Sequence, residues 1–109
     1  MTQPASSTRD ILIQTEHAVE ARTFYETVLG FRVIMDEPDM CGLETGSFRL
    51  FIDPAPSLGP VLEFKVAELA AMKERLLAAG CVILEENDTI PRCYMRDPFG
   101  LIFNLREGT

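Results

Sequence analysis

Tryptophan is absent from this chain, histidine occurs once, at His17, and cysteine three times, at Cys41, Cys81 and Cys93. A single histidine and three scattered cysteines, with no Cys-x-x-Cys pair, exclude a zinc-finger type of site and a disulfide framework. The three thiols are expected to be reduced and buried in structural roles. Cations are scarce as well: ten Lys and Arg stand against seventeen Asp and Glu, a formal net charge of −7. Phosphate backbones are bound by clustered Lys and Arg, so no nucleic acid partner is expected. The same charge suits an anionic membrane surface poorly, and no apolar run approaches the roughly 20 residues that span a bilayer. The opening MTQPASSTRD has neither the basic start nor the apolar stretch of a secretory signal. The expectation is a cytoplasmic protein with a disordered tail over residues 1–8 and no membrane partner.

What is present is a doubled pattern. Arg9–Gln14 alternates as a strand does, with Ile11 and Ile13 on one face and Asp10, Leu12 and Gln14 on the other. Thr15 is a suitable N-cap for a helix running to Leu29, whose stripe of Ala18, Ala21, Phe24, Tyr25, Val28 and Leu29 predicts a buried face. Gly30 supplies the cap that follows. Phe31–Met35 reads as a strand, then Met40–Glu44 and Phe48–Ile52 as a hairpin. The proline-rich DPAPSLGP, Asp53–Pro60, contains a linker over 54–60. The order then repeats: strand Val61–Val66, helix Glu68–Ala79 with Gly80 behind it, strand Cys81–Glu85, and a closing hairpin over Arg92–Arg106. The turn of that hairpin, Asp97-Pro98-Phe99-Gly100, combines an Asp that can bond the backbone two residues on, a Pro that presets φ, and a Gly at the exit. The reading is an α+β fold of two βαβββ modules, module one over 9–53 and module two over 61–106, within a single domain, 9–109.

Two motifs carry a resemblance. Ala21–Phe31, ARTFYETVLGF, is a helix with Phe-Tyr that runs into Leu-Gly-Phe, and Asp97–Gly100 is a D-P-x-G turn before a last strand. Both resemble the glyoxalase, bleomycin-resistance and extradiol dioxygenase superfamily, the vicinal oxygen chelate fold. The resemblance covers about residues 10–106. It implies two modules forming curved mixed sheets around a cleft, with helices on the outer face, and a homodimer. It also implies a divalent metal held by His or Gln and Glu from the first and last strand of each module. Carried over one position at a time, the first-strand ligand of module one falls on Asp10 and its last-strand ligand on Leu50 or Phe51. In module two they fall on Val61 and Asn104. Those residues make a poor set of metal donors, and His17 lies at none of these positions.

The residues expected to face the cleft, and to bind a ligand there, are Gln14, Arg49, Phe51, Glu63, Arg92, Tyr94 and Asn104. Arg49 and Arg92 could receive an anion through paired N–H donors. Tyr94 and Phe51 could stack on a flat ligand. Glu63 is the single candidate for a catalytic base, should an apolar cleft raise its pKa. The functional expectation is a metal-free, cofactor-free protein that binds a small aromatic or charged molecule, as in the bleomycin-resistance branch. The alternative is a metal-dependent lyase, isomerase or dioxygenase with an atypical metal site.

Overall fold

The computed structural model describes residues 3–90 and 92–108; of the expected tail, Met1 and Thr2 lie outside them. The elements in chain order are β1 (Ser6–Thr15), α1 (Ala18–Thr27), β2 (Arg32–Glu37), β3 (Met40–Glu44), β4 (Arg49–Pro54), β5 (Leu58–Val66), α2 (Leu69–Ala78), β6 (Val82–Asn87), β7 (Arg92–Arg96) and β8 (Ile102–Glu107). The fold is α+β, and βαβββ occurs twice. Two expectations need correction. Strand β1 starts at Ser6, so residues 6–8 are not tail. Strands β4 and β5 reach to Pro54 and back to Leu58, so only 55–57 separate them.

The chain forms two compact units, one of Arg9–Pro60 and one that runs from Val61 onward and takes in the start of the chain through Thr8. In the first, the strands lie in the order β2-β3-β4-β1, with β1 parallel to β4 and the other pairs antiparallel. In the second the order is β6-β7-β8-β5, with β5 parallel to β8. Register shifts fall at equivalent places, between Val33 and Met35 on β2 and between Ile83 and Glu85 on β6. Such irregularities on an outer strand twist it and discourage further strands from adding.

Each helix packs on one face of its own sheet. In module one, Leu43, Leu50, Ile52 and Cys41 form the core, with Ile13, Ala18, Ala21, Tyr25 and Phe31 against them. In module two the core is Val66, Cys81, Cys93, Met95, Phe103 and Leu105, under Leu69, Met72 and Leu76 of α2 and beside Leu62 and Phe64. The alternation read from sequence thus places Ile13, Leu62, Phe64, Phe103 and Leu105 on the helix side.

Helix α1 departs from expectation. It stops at Thr27, and Phe24, Val28 and Leu29 are 50%, 67% and 53% exposed. Its contact face is made of the small Ala18 and Ala21 together with Tyr25, whose ring stacks on Phe31 at 6.4 Å. That face is too narrow to include Phe24, which meets Tyr25 edge-on at 5.3 Å. Thr15 does not cap the first turn; its hydroxyl accepts the His17 N–H at 3.1 Å, one step earlier. Helix α2 is capped from a distance, since Glu107 Oε1 accepts the Leu69 N–H at 2.8 Å. At its other end Gly80 takes φ +104°, and the Cys81 N–H returns to the Leu76 carbonyl at 3.0 Å, as in a Schellman cap. Among the described residues no helix is long and apolar enough to cross a membrane.

All three thiols are buried. Burial pushes the pKa of each above its ordinary value, most directly through loss of solvation of the thiolate. A disulfide-exchange reagent is therefore expected to label the native protein slowly and to titrate three thiols per chain promptly once urea is added. Rapid labelling of the native state would contradict this burial.

Candidate functional site

The sheet face turned away from α1 carries the module-one candidates. Asp10, Leu12 and Gln14 stand in register with Arg49, Phe51 and Asp53. Cross-strand register also aligns Arg32 with Glu44, and Glu44 with Arg49. The row Arg32–Glu44–Arg49–Asp10 therefore alternates in charge across four strands, and a slip of one residue would break every pair in it. Arg49 grips Asp10 with two parallel bonds, Nε to Oδ1 at 2.6 Å and Nη2 to Oδ2 at 2.8 Å. Arg9 binds both oxygens of Glu44, at 3.0 and 2.8 Å, and the Gly46 carbonyl at 2.8 Å. The hydrogen bond from Arg9 is the main reason the Glu44 carboxyl lies below the usual carboxylate range. Its folded pKa being the lower one, this contribution is present above the unfolded pKa and is lost as pH falls through the folded value.

Phe51 lies over Gly42. A Cβ at position 42 would stand 2.8 Å from Cε1 of the Phe51 ring and 3.2 Å from Cβ of Met35. The Arg49 guanidinium lies 5.5 Å from the centre of the same ring. Gly42→Val is expected to push this ring off the sheet and to cost about 1–3 kcal/mol, read as a drop in the urea midpoint. An unchanged midpoint would mean that the ring does not rest there. Gln14 is 7% exposed, which leaves it little surface to offer a ligand.

Module two builds a second polar row, in which Glu85, Tyr94, Asn104 and Glu63 are cross-strand neighbours. Asn104 is occupied at both ends of its amide. Its Oδ1 accepts the Cys93 N–H at 2.8 Å, and its Nδ2 donates to Glu63 Oε2 at 3.3 Å. Glu63 receives the Thr8 hydroxyl on Oε1 at 3.0 Å and has Arg106 Nε at 3.6 Å. Both oxygens of the candidate base are thus engaged by neighbours, and its ion-pair partner is Arg106, a residue outside the expected set. Arg92 donates to Glu85 at 2.9 Å and covers the Tyr94 ring at 4.7 Å. Tyr94 is 2% exposed, so its ring is packed, not offered for stacking as the sequence reading had it.

The residues that sequence reasoning missed are Thr8 and Arg106. Thr8 had a signal: the alternation that puts Asp10, Leu12 and Gln14 on one face extends back to it. Arg106 extends the alternation of Ile102 and Asn104 in the same way.

At the positions where the superfamily resemblance calls for metal ligands, the fit fails in each module. Asp10 is bound by a guanidinium through both oxygens, and the adjacent Leu50 and Phe51 have no donor atom. Val61 is apolar and 2% exposed. The Asn104 oxygen is already an acceptor for a backbone N–H. Among the described residues no group of three or more His, Cys, Asp or Glu is placed to hold a metal ion.

Comparison with known proteins places the chain. The family model of the glyoxalase-like domain matches residues 10–106, and the chain belongs to that family. No curated protein sequence matches it. Solved structures match in fold. A glyoxalase/bleomycin resistance protein/dioxygenase superfamily member from Vibrio splendidus 12B01 is 14% identical with a TM-score of 0.59, covering 94% of this chain and 100% of that one. The Mn(II)-bound glyoxalase of Novosphingobium aromaticivorans is 15% identical, with a TM-score of 0.65 over 94% of this chain and 39% of its own. Homoprotocatechuate 2,3-dioxygenase of Brevibacterium fuscum is 16% identical, with a TM-score of 0.69 over 99% of this chain and 38% of its own.

Proposed function

We propose that this glyoxalase-like protein works without a metal and binds a small, aromatic or charged molecule on the sheet faces turned away from its helices. One observation carries the reading. At the metal-ligand positions, the polar residues are committed to partners within the chain: Asp10 to Arg49, and Asn104 to Cys93 and Glu63. A cation arriving at Asp10 would have to displace a bidentate guanidinium, which is a strong competitor for a carboxylate. Phe51, lying on Gly42 with Arg49 beside it, offers a flat apolar surface next to a charged one, a combination suited to a planar ligand.

The protein is proposed to act in the cytoplasm as a homodimer. Exposed apolar side chains on the outer strands, Ile34 and Met35 of β2 and Val82 and Ile83 of β6, favour association. The register shifts on those strands direct it through side chains and not through added strand pairing. Light scattering is expected to give twice the chain mass. A thermal-shift screen of planar anions and cations is expected to raise Tm for a subset, by RT ln(1 + [L]/Kd) in free energy. Phe51→Ala is expected to abolish that rise. A rise undiminished in Phe51→Ala would move the ligand elsewhere, and no rise with any compound would remove the binding role.

A further inference from the structure

On the module-one sheet face turned away from α1, cross-strand register lays the side chains in three rows. The first is the charged row of Arg32, Glu44, Arg49 and Asp10. In it Arg49 holds Asp10, and Arg9 holds Glu44, each engaging both carboxylate oxygens. The second row is apolar: Met35 faces Gly42, Gly42 faces Phe51, and Phe51 faces Leu12. Its gap, at Gly42, lies under the Phe51 ring, so the row presents a flat strip. In the third row Glu37 faces Met40, and Asp53 faces Gln14. Met40 and Asp53 lie one residue beyond the Cys41–Ile52 pair, which sets them side by side. Asp36 pairs with Arg22 of α1, which puts Glu37, the next residue, on the opposite face, as the pleat requires. This third row brings two carboxylates and no basic side chain. It runs about 7 Å from the apolar row, two residues along each strand.

We infer that this face takes a planar aromatic cation. Its ring stacks on Phe51 between Leu12 and Met35, and its cationic group turns to the row of Glu37 and Asp53. The inference rests on the planar-ligand reading proposed above and adds the sign and direction of the ligand's charge. Charge complementarity selects the class. A carboxylate in the same pose would meet two like charges. Turned the other way, it would find Arg49 and Arg9 already holding Asp10 and Glu44, with Arg32 beyond them on the outer strand. A neutral ring would keep the stack and lose the charged contact.

Calorimetric titration of the full chain with three ligands of one ring system tests it: naphthylmethylammonium, naphthylmethanol and naphthoate, all substituted at the same ring position. The ammonium is expected to bind about tenfold or more tighter than either of the others. Glu37→Gln, and separately Asp53→Asn, should narrow that margin and leave the affinity for the alcohol unchanged. Phe51→Ala should weaken all three. Glu37 is exposed, so Glu37→Gln is expected to keep the wild-type urea midpoint and carries the test should Asp53→Asn be destabilised. Equal or tighter binding of the alcohol or the naphthoate would overturn the inference and leave the planar-ligand reading standing. A margin undiminished in Glu37→Gln and in folded Asp53→Asn would place the cation elsewhere and overturn it as well. Binding of none of the three would overturn both.

Discussion

Asn104→Asp is expected to destabilise the protein by about 2–3 kcal/mol at neutral pH and by much less near pH 4. The substitution keeps the shape and leaves an oxygen for the Cys93 N–H. It replaces the Nδ2 donor, 3.3 Å from Glu63 Oε2, with a second carboxylate oxygen. Two carboxylates at that separation cannot both ionise cheaply, so the pair takes up a proton and titrates as a unit with one apparent pKa raised. The sign follows. A folded pKa raised above the unfolded one contributes stability that is fully present below the unfolded value and lost as pH rises through the folded value. The deficit relative to wild type should therefore grow from pH 4 to pH 7, read from urea midpoints at the two pH values. An equal deficit at both would mean that Asn104 and Glu63 do not meet. The substitution also puts an acidic side chain at the position where the superfamily resemblance calls for one.

The second large effect separates two phenylalanines of one hairpin. Phe103→Ala is expected to cost about 3–5 kcal/mol, a large share of the roughly 5–15 kcal/mol that holds a typical domain together. Phe103 is 3% exposed, sits in the core of module two and packs against the Phe64 ring at 5.0 Å between centroids. Phe99, on the turn, is 93% exposed. Its turn is fixed by Asp97, whose Oδ1 accepts the N–H groups of Phe99 and Leu101, both at 2.9 Å, and none of those bonds needs the ring. Phe99→Ala should change stability by no more than about 0.5 kcal/mol. Urea unfolding with an unchanged slope gives both numbers. Equal losses would place the wrong ring in the core.

These contrasts mark where the sequence is legible. The D-P-F-G turn is written in local chemistry, since Asp97 bonds backbone groups two and four residues on. Strand faces are legible too, because the pleat has period two and Leu62, Phe64, Phe103 and Leu105 keep to it. Pairing is not local. Asp10 meets Arg49, and Glu63 meets Asn104, through parallel strands joined by long connections. Alternation gives the face of each of these residues but not the neighbour across from it. Hence Glu63 could be read as a free base, when Thr8, Asn104 and Arg106 take up its oxygens. Tyr94 is legible as a residue on the polar face but not as a covered one, because alternation does not show that the Arg92 guanidinium lies over its ring. Helix α1 was misjudged for a different reason. Apolar periodicity counts Phe24 and Val28 with Ala18 and Ala21, but a helix that approaches its sheet on alanines buries a narrower face than one that approaches on leucines.

For function, the separation between fold and chemistry is sharp here. The scaffold is one that other proteins use with a metal, and in this chain the corresponding positions hold Asp10 under a guanidinium, apolar Leu50, Phe51 and Val61, and an amide bound to a backbone N–H. Fold membership alone therefore does not assign metal chemistry to the chain.

The most direct test is the metal content and affinity of untagged protein, by elemental analysis and by titration with manganese, iron, nickel and zinc. Well under one ion per chain is predicted, with no change in Tm on adding any of the four or on adding a chelator. One tightly held divalent ion per chain, lost in Asp10→Asn or in Asn104→Leu, would contradict the account.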